Sequence, residues 1–131
     1  MRKIKFRAWN KKGVYANTMV SQDGPDLDGV IYYTATVEGQ DIYYNFEDIM
    51  DKREFIIMQY TGLKDKNGKE IYEGDVLTHE SLPVTEIVKW KEQIWTEEGF
   101  MTGFGEWWGT ADQYEIIGNI HENPELVKEV E

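Results

Sequence analysis

A mainly β fold with two short helices is predicted by three features of the sequence. Gln59–Val76 carries two turn signals at a short interval, Asn67-Gly68 and Glu73-Gly74-Asp75, each flanked by β-formers. Ile4–Trp9 alternates apolar and polar residues. Val30–Val37, VIYYTATV, is dense in β-branched and aromatic side chains, which fit a pleated surface.

The elements follow in order. Period two places Ile4, Phe6 and Ala8 on one face of a first strand, and Lys5, Arg7 and Trp9 on the other. Asn10–Gly13 is a turn, and Val14–Val20 returns as a second strand. Ser21–Gly29, rich in Gly, Asp and Pro, reads as a loop. Val30–Val37 is the third strand and Glu38–Asp41 a turn, while Ile42–Asn45 is ambiguous. Asn45 with Asp48 three residues on has the pattern of a helix cap, so Phe46–Arg53 is expected to be a short helix. Phe55–Tyr60 is a buried strand. Lys66-Asn67-Gly68 is the tip of a charged hairpin, and an Asn-Gly pair suits a type I′ turn. Val76–Thr78, Glu86–Trp90, Gly99–Phe104 and Glu115–Ile120 are further strands. Asn123-Pro124-Glu125 starts a terminal helix, with Asn as cap, Pro in the first turn and Glu at the dipole end.

A length of 131 residues suits one domain. It divides into N-terminal strands with a short helix over 1–58, a barrel-like part over 59–121, and a C-terminal helix over 122–131. Hydrophobic residues at 40 % and charged residues at 30 % fit a folded domain. The absence of cysteine excludes disulfides, thiolate zinc sites and thiol catalysis, and is compatible with a reducing cytoplasm. No apolar run is long enough to span a membrane, and MRKIKFRAW has no apolar core of a signal peptide. Fourteen Lys and Arg against 25 Asp and Glu give a net charge of −11, which on average repels a phosphate backbone. A solvated acidic surface accounts for it; a carboxylate array mimicking nucleic acid is the sharper alternative.

Three blocks resemble the YopX family: Lys5–Trp9; Gln59–Asp75, reading QYTGLKDKNGKEIYEGD; and Ile117–Ile120 with Glu122–Leu126. They come in the family's order and span nearly the whole chain. The resemblance implies a small protein carried by bacteriophages and prophages, with a mostly β, partly barrel-like fold. It implies no activity and transfers no catalytic or binding residues. Within the central block, Gly62, Gly68 and Gly74 can supply positive φ, Asn67 and Asp75 complete the turns, and Asp65 and Asp75 can accept backbone N–H bonds. Separately, Gly74-Asp75-x-Leu77 followed by Val88-x-Trp90 looks like the first two strands of an SH3-like barrel, partly open, over Gly62–Ile120.

Candidate sites are few. His79-Glu80 and His121-Glu122 contain the only two histidines, but neighbours on a strand point to opposite faces, which makes a poor metal cage. Asp65, Glu70, Glu73 and Asp75 lie within eleven residues, as acid and base of a hydrolase would, yet Lys64, Lys66 and Lys69 beside them favour ionised turn carboxylates. Trp107 and Trp108 are adjacent, so both cannot face one core; with Trp95 and Trp9 they form a candidate interaction surface. Trp90 and Tyr114 complete the aromatic set. Lys3, Lys5, Arg7, Lys64, Lys66 and Lys69 are the candidate nucleic-acid contacts. No G-x-S-x-G, Walker A loop or dinucleotide fingerprint occurs.

The expectation is therefore a cytoplasmic, non-enzymatic phage accessory protein without cofactor or metal, binding a protein partner or itself as a homo-oligomer. Nucleic-acid binding through the basic strand and hairpin is the alternative, and a carboxylate hydrolase the third.

Overall fold

The computed structural model describes residues 5–23, 27–81, 85–89 and 111–130, with side chains through 127. Lys3, Trp90, Trp95, Trp107 and Trp108, the strand expected at Gly99–Phe104, and the polar stretch Glu92–Glu98 lie outside the described residues. The chain is mainly β and antiparallel. It forms two compact units, one of Lys5–Gln59 and one running on from Tyr60.

In the first unit β1 (Phe6–Asn10), β2 (Thr18–Asp23), β3 (Tyr32–Val37), β4 (Gln40–Tyr44) and the first half of β5 (Phe55–Lys64) pair in the order β4-β3-β2-β1-β5. β2 reaches Asp23, so the loop expected from Ser21 begins later: Ser21, Gln22 and Asp23 pair with Thr34, Tyr33 and Tyr32. The β3–β4 hairpin turns on Glu38 (φ 50°) and Gly39 (φ 81°), with Val37 opposite Gln40. Both central residues have the positive φ that a type I′ turn demands.

α1 (Phe46–Ile49) starts with a full capping box: Asn45 Oδ1 accepts from Asp48 N–H at 2.8 Å, and Asp48 Oδ2 accepts from Asn45 N–H at 2.9 Å. The helix stops short of the expected Arg53 because Asp51 turns the chain. Its carbonyl accepts from Glu54 and Phe55 N–H, and its carboxylate from Arg53 N–H and guanidinium. Ala8, Val20, Tyr33, Ala35, Ile49 and Phe55 form the core, with Tyr44 edge-on to Phe55 at 5.3 Å.

In the second unit the rest of β5 pairs with β6 (Glu70–Tyr72), joining Tyr60 to Tyr72 and Lys64 to Glu70 with an irregularity between. Gly62 lies there at φ 88°. The buried Thr61 hydroxyl holds the bulge, donating to Ile71 O at 2.8 Å and accepting from Leu63 N–H at 3.0 Å. β7 (Asp75–His79) lies between β8 (Thr85–Ile87) and β9 (Tyr114–Asn119). A 3₁₀ turn, Ala111–Gln113, precedes β9, and α2 (Pro124–Val130) follows it. Ile71, Leu77, Val88, Ala111 and Tyr114 form this unit's core.

Three expectations need correction. First, the strands from Gly62 to Ile120 do not close into a barrel among the described residues; β7 and β8, which carry the first two strands expected there, do pair, from Val76 with Ile87 to Thr78 with Thr85. The Glu73-Gly74 corner ends the β5–β6 ladder. Tyr72 N–H is taken by the Asp75 carboxylate at 2.8 Å, and Gly74 N–H donates to Val88 O at 2.8 Å, so the chain leaves one sheet and enters another.

Second, the Asn67-Gly68 tip is not type I′, because only Gly68 has positive φ (81°). Gly68 N–H bonds Asp65 O at 3.0 Å and Asp65 N–H bonds Lys69 O at 2.8 Å, the pattern of a three-residue loop with a left-handed glycine. Asp65 imposes it by accepting from both Asn67 and Lys69 N–H at 2.9 Å.

Third, Trp9 does not lie open. It is 9 % exposed, and Ala8, Trp9 and Asn10 are buried in succession, so both faces of this end of β1 are covered.

Candidate binding groove

The side chains that line a groove in the first unit come from the β1–β2 loop, β4, α1 and the turn after it. Hydrogen bonds pin the loop at both ends. Asn10 O accepts from Asn17 N–H at 2.6 Å, Asn10 Oδ1 accepts from Lys12 N–H at 3.3 Å, and Lys11 N–H donates to Glu54 O at 2.7 Å. Asn17 takes φ 63°, which Asn tolerates better than most side chains. This pinning holds Tyr15 opposite β4, while the capping box and the Asp51 turn present the α1 carboxylates.

The groove is open and measures about 670 Å³. That volume lies within the range of ligand sites. Tyr15, Tyr43 and Tyr44 supply rings; Glu47, Asp48, Asp51 and Glu54 supply carboxylates; Lys12 supplies the single ammonium. Tyr43 is 63 % exposed. Burial pushes the Tyr44 hydroxyl above its ordinary pKa, opposed by its hydrogen bond with Asn10 and reinforced by Tyr15, Glu54 and Asp48. Hydrogen bonds from the Arg53 side chain and backbone hold Asp51 below the usual carboxylate range.

The residues singled out in the sequence lie elsewhere. Lys64, Lys66 and Lys69 are brought together, exposed, on one hairpin of the second unit. Arg7 on β1 and Lys5 just before it are half-buried. Of the four clustered carboxylates, Asp65 and Asp75 are buried and bound to backbone N–H groups, so they build turns. Glu70 accepts from the Tyr72 hydroxyl at 3.4 Å. His79 Nδ1 accepts from Ser81 N–H at 3.0 Å, and the ring packs edge-on to Tyr114 at 5.0 Å. Among the described residues no three His, Asp or Glu converge as metal ligands.

Sequence reasoning missed the groove. Its acidic stretch, Glu47–Asp51, was legible as charge and as a cap; the tyrosines were legible only as strand residues. Nothing in the spacing brings Tyr15 to Tyr43, because pairing across β1, β2 and β3 does that.

Fold and groove together define a mainly antiparallel β protein with open sheets and an acidic, tyrosine-walled surface. The chain belongs to the YopX family: the family described as YopX protein matches residues 5–128. It is also similar to a solved structure, protein EF1440 from Enterococcus faecalis, at 26 % identity over 100 % of both chains, with a TM-score of 0.49. No curated protein matches it. No described helix is long and apolar enough to cross a membrane.

Proposed function

We propose that this chain is a non-enzymatic accessory protein, encoded by phage or prophage and acting in the cytoplasm of a bacterial host, that works by binding a protein partner. The groove carries this reading: a hydrogen-bonded loop and a capped helix border it, and the Tyr43 ring and the α1 carboxylates are exposed there. Exposed tyrosine is a favoured anchor of protein contacts. The non-enzymatic part of this reading is supported by Asp65 and Asp75, whose carboxylates are occupied by backbone N–H groups. Trp95, Trp107 and Trp108 belong to the same reading as a second contact surface, and self-association into a homo-oligomer is its simplest form.

The experiment is capture from host lysate on the immobilised chain, wild type against Tyr43→Ala. A specific protein held by the wild type and lost by the variant supports the reading. Unchanged capture removes the groove from it, and the absence of any specific partner rejects it.

Nucleic-acid binding has one observation in its favour, the three exposed lysines of the 64–69 hairpin. A DNA or RNA mobility shift that weakens with salt would select it, and no shift at low salt removes it.

A further inference from the structure

The chemistry of the groove specifies its occupant further than the protein-binding reading, on which this inference rests. We propose that the groove takes a Lys or Arg side chain carried by an extended basic segment of a partner protein.

Charge complementarity favours a cation. Four carboxylates face one ammonium in the lining. Asp48 and Asp51 spend oxygen atoms within the fold, on the Asn45 N–H and on Arg53. Glu47 and Glu54 make no side-chain hydrogen bond or ion pair among the described residues, and both are exposed. They remain for an outside cation. The carboxylates do not converge as a metal cage does. A guanidinium or ammonium on a flexible stem needs no such convergence, and a phosphate would be repelled.

Aromatic residues favour the same occupant. Tyr15, Tyr43 and Tyr44 stand beside those carboxylates, and a tyrosine face attracts a cation through its quadrupole. An Arg side chain can stack on a ring and still reach a carboxylate.

An edge strand offers the cation's backbone a partner. β4 is the end strand of its sheet and, among the described residues, pairs only with β3. Ile42, Tyr43 and Tyr44 are consecutive, their side chains alternate between faces, and all three line the groove. The groove therefore borders β4. An extended chain laid along β4 can take ladder hydrogen bonds and place alternate side chains over the groove. A partner segment does this where a small polyamine cannot.

The test uses the full chain and a fluorescent peptide of alternating Arg and Thr, read by anisotropy at low salt. The same peptide with citrulline for Arg keeps shape and hydrogen bonding but loses charge. Glu47→Gln with Glu54→Gln should weaken the Arg peptide about tenfold, the effect of removing two exposed charge contacts. The control pair, Glu122→Gln with Glu125→Gln, removes the same net charge from exposed sites elsewhere and should leave affinity unchanged. Equal binding of the citrulline peptide overturns the proposal, as does equal weakening by both variant pairs, which would reduce the effect to the overall charge of −11. Circular dichroism confirms that each variant is folded. A lysate partner retained by the Glu47/Glu54 variant but lost by Tyr43→Ala would refute the cationic occupant while keeping the protein-binding reading. Failure of the wild type to hold any partner refutes the latter.

Discussion

Asp65 Oδ2 accepts a hydrogen bond from the Ile116 backbone N–H at 3.0 Å, across 51 residues of sequence. The other oxygen, Oδ1, organises the 66–68 loop. Lys66 N–H adds a bond to Tyr114 O at 2.8 Å. One buried carboxylate therefore shapes a hairpin and fastens it to β9.

Replacing Asp65 by Ala leaves three backbone N–H groups without that acceptor. The expected loss is about 2–4 kcal/mol, since partly buried donors regain water only in part. Asp65→Asn keeps one carbonyl acceptor and should lose less. Urea unfolding checks both; an Ala variant as stable as the wild type would contradict the assignment.

Gly118 bears the weight of the C-terminal turn. A Cβ there would come within 2.5 Å of Asn123 Oδ1 and 2.9 Å of Leu126 Cδ1. Asn123 has little freedom to retreat, because the same Oδ1 accepts from Asn119 N–H at 3.2 Å. Gly118→Ala should cost about 1–3 kcal/mol, as overpacking does. Thermal unfolding measures it, and an unchanged midpoint would show that α2 yields freely.

Alkaline pH should weaken the fold. Burial raises the hydroxyl pKa of Tyr33, Tyr44 and Tyr60 above the ordinary 10.0. The folded state then holds these protons where the unfolded chain releases them. The contribution is fully present below pH 10.0 and is lost as pH rises through the folded values. Stability measured through that window should fall, and Tyr33→Phe should flatten the fall. A slope the same in that variant would remove Tyr33 from the account.

Self-association is read by light scattering. A species of 15.4 kDa at every concentration excludes the homo-oligomer. If larger species occur, Trp107→Ala with Trp108→Ala should reduce them, and an unchanged mass would clear the two rings of the contact.

Local chemistry was legible where neighbours in sequence bond to each other. Asn45 and Asp48 form the capping box their spacing predicts. Val30–Val37 yields β3, and the Gly62, Gly68 and Gly74 positions do carry positive φ. Asn123 is the partial case. It stands before Pro124 as a cap would, but its side-chain oxygen reaches back to Asn119 N–H. The Asn67-Gly68 turn departs from type I′ because Asp65 outweighs the preference of an Asn-Gly pair.

Backbone preference and short-range hydrogen bonds act between residues a few positions apart, so the sequence alone carries the β class, β1, most of β3, the glycine corners and the family blocks. Tertiary pairing alone decides that Trp9 is covered, that the chain changes sheets at Tyr72–Asp75, and that Tyr15, Tyr43 and Glu47 line one groove. Those outcomes depend on which strands pair and which backbone groups a distant side chain satisfies. Burial and pairing are properties of the assembled sheet, and no local stretch of residues carries them.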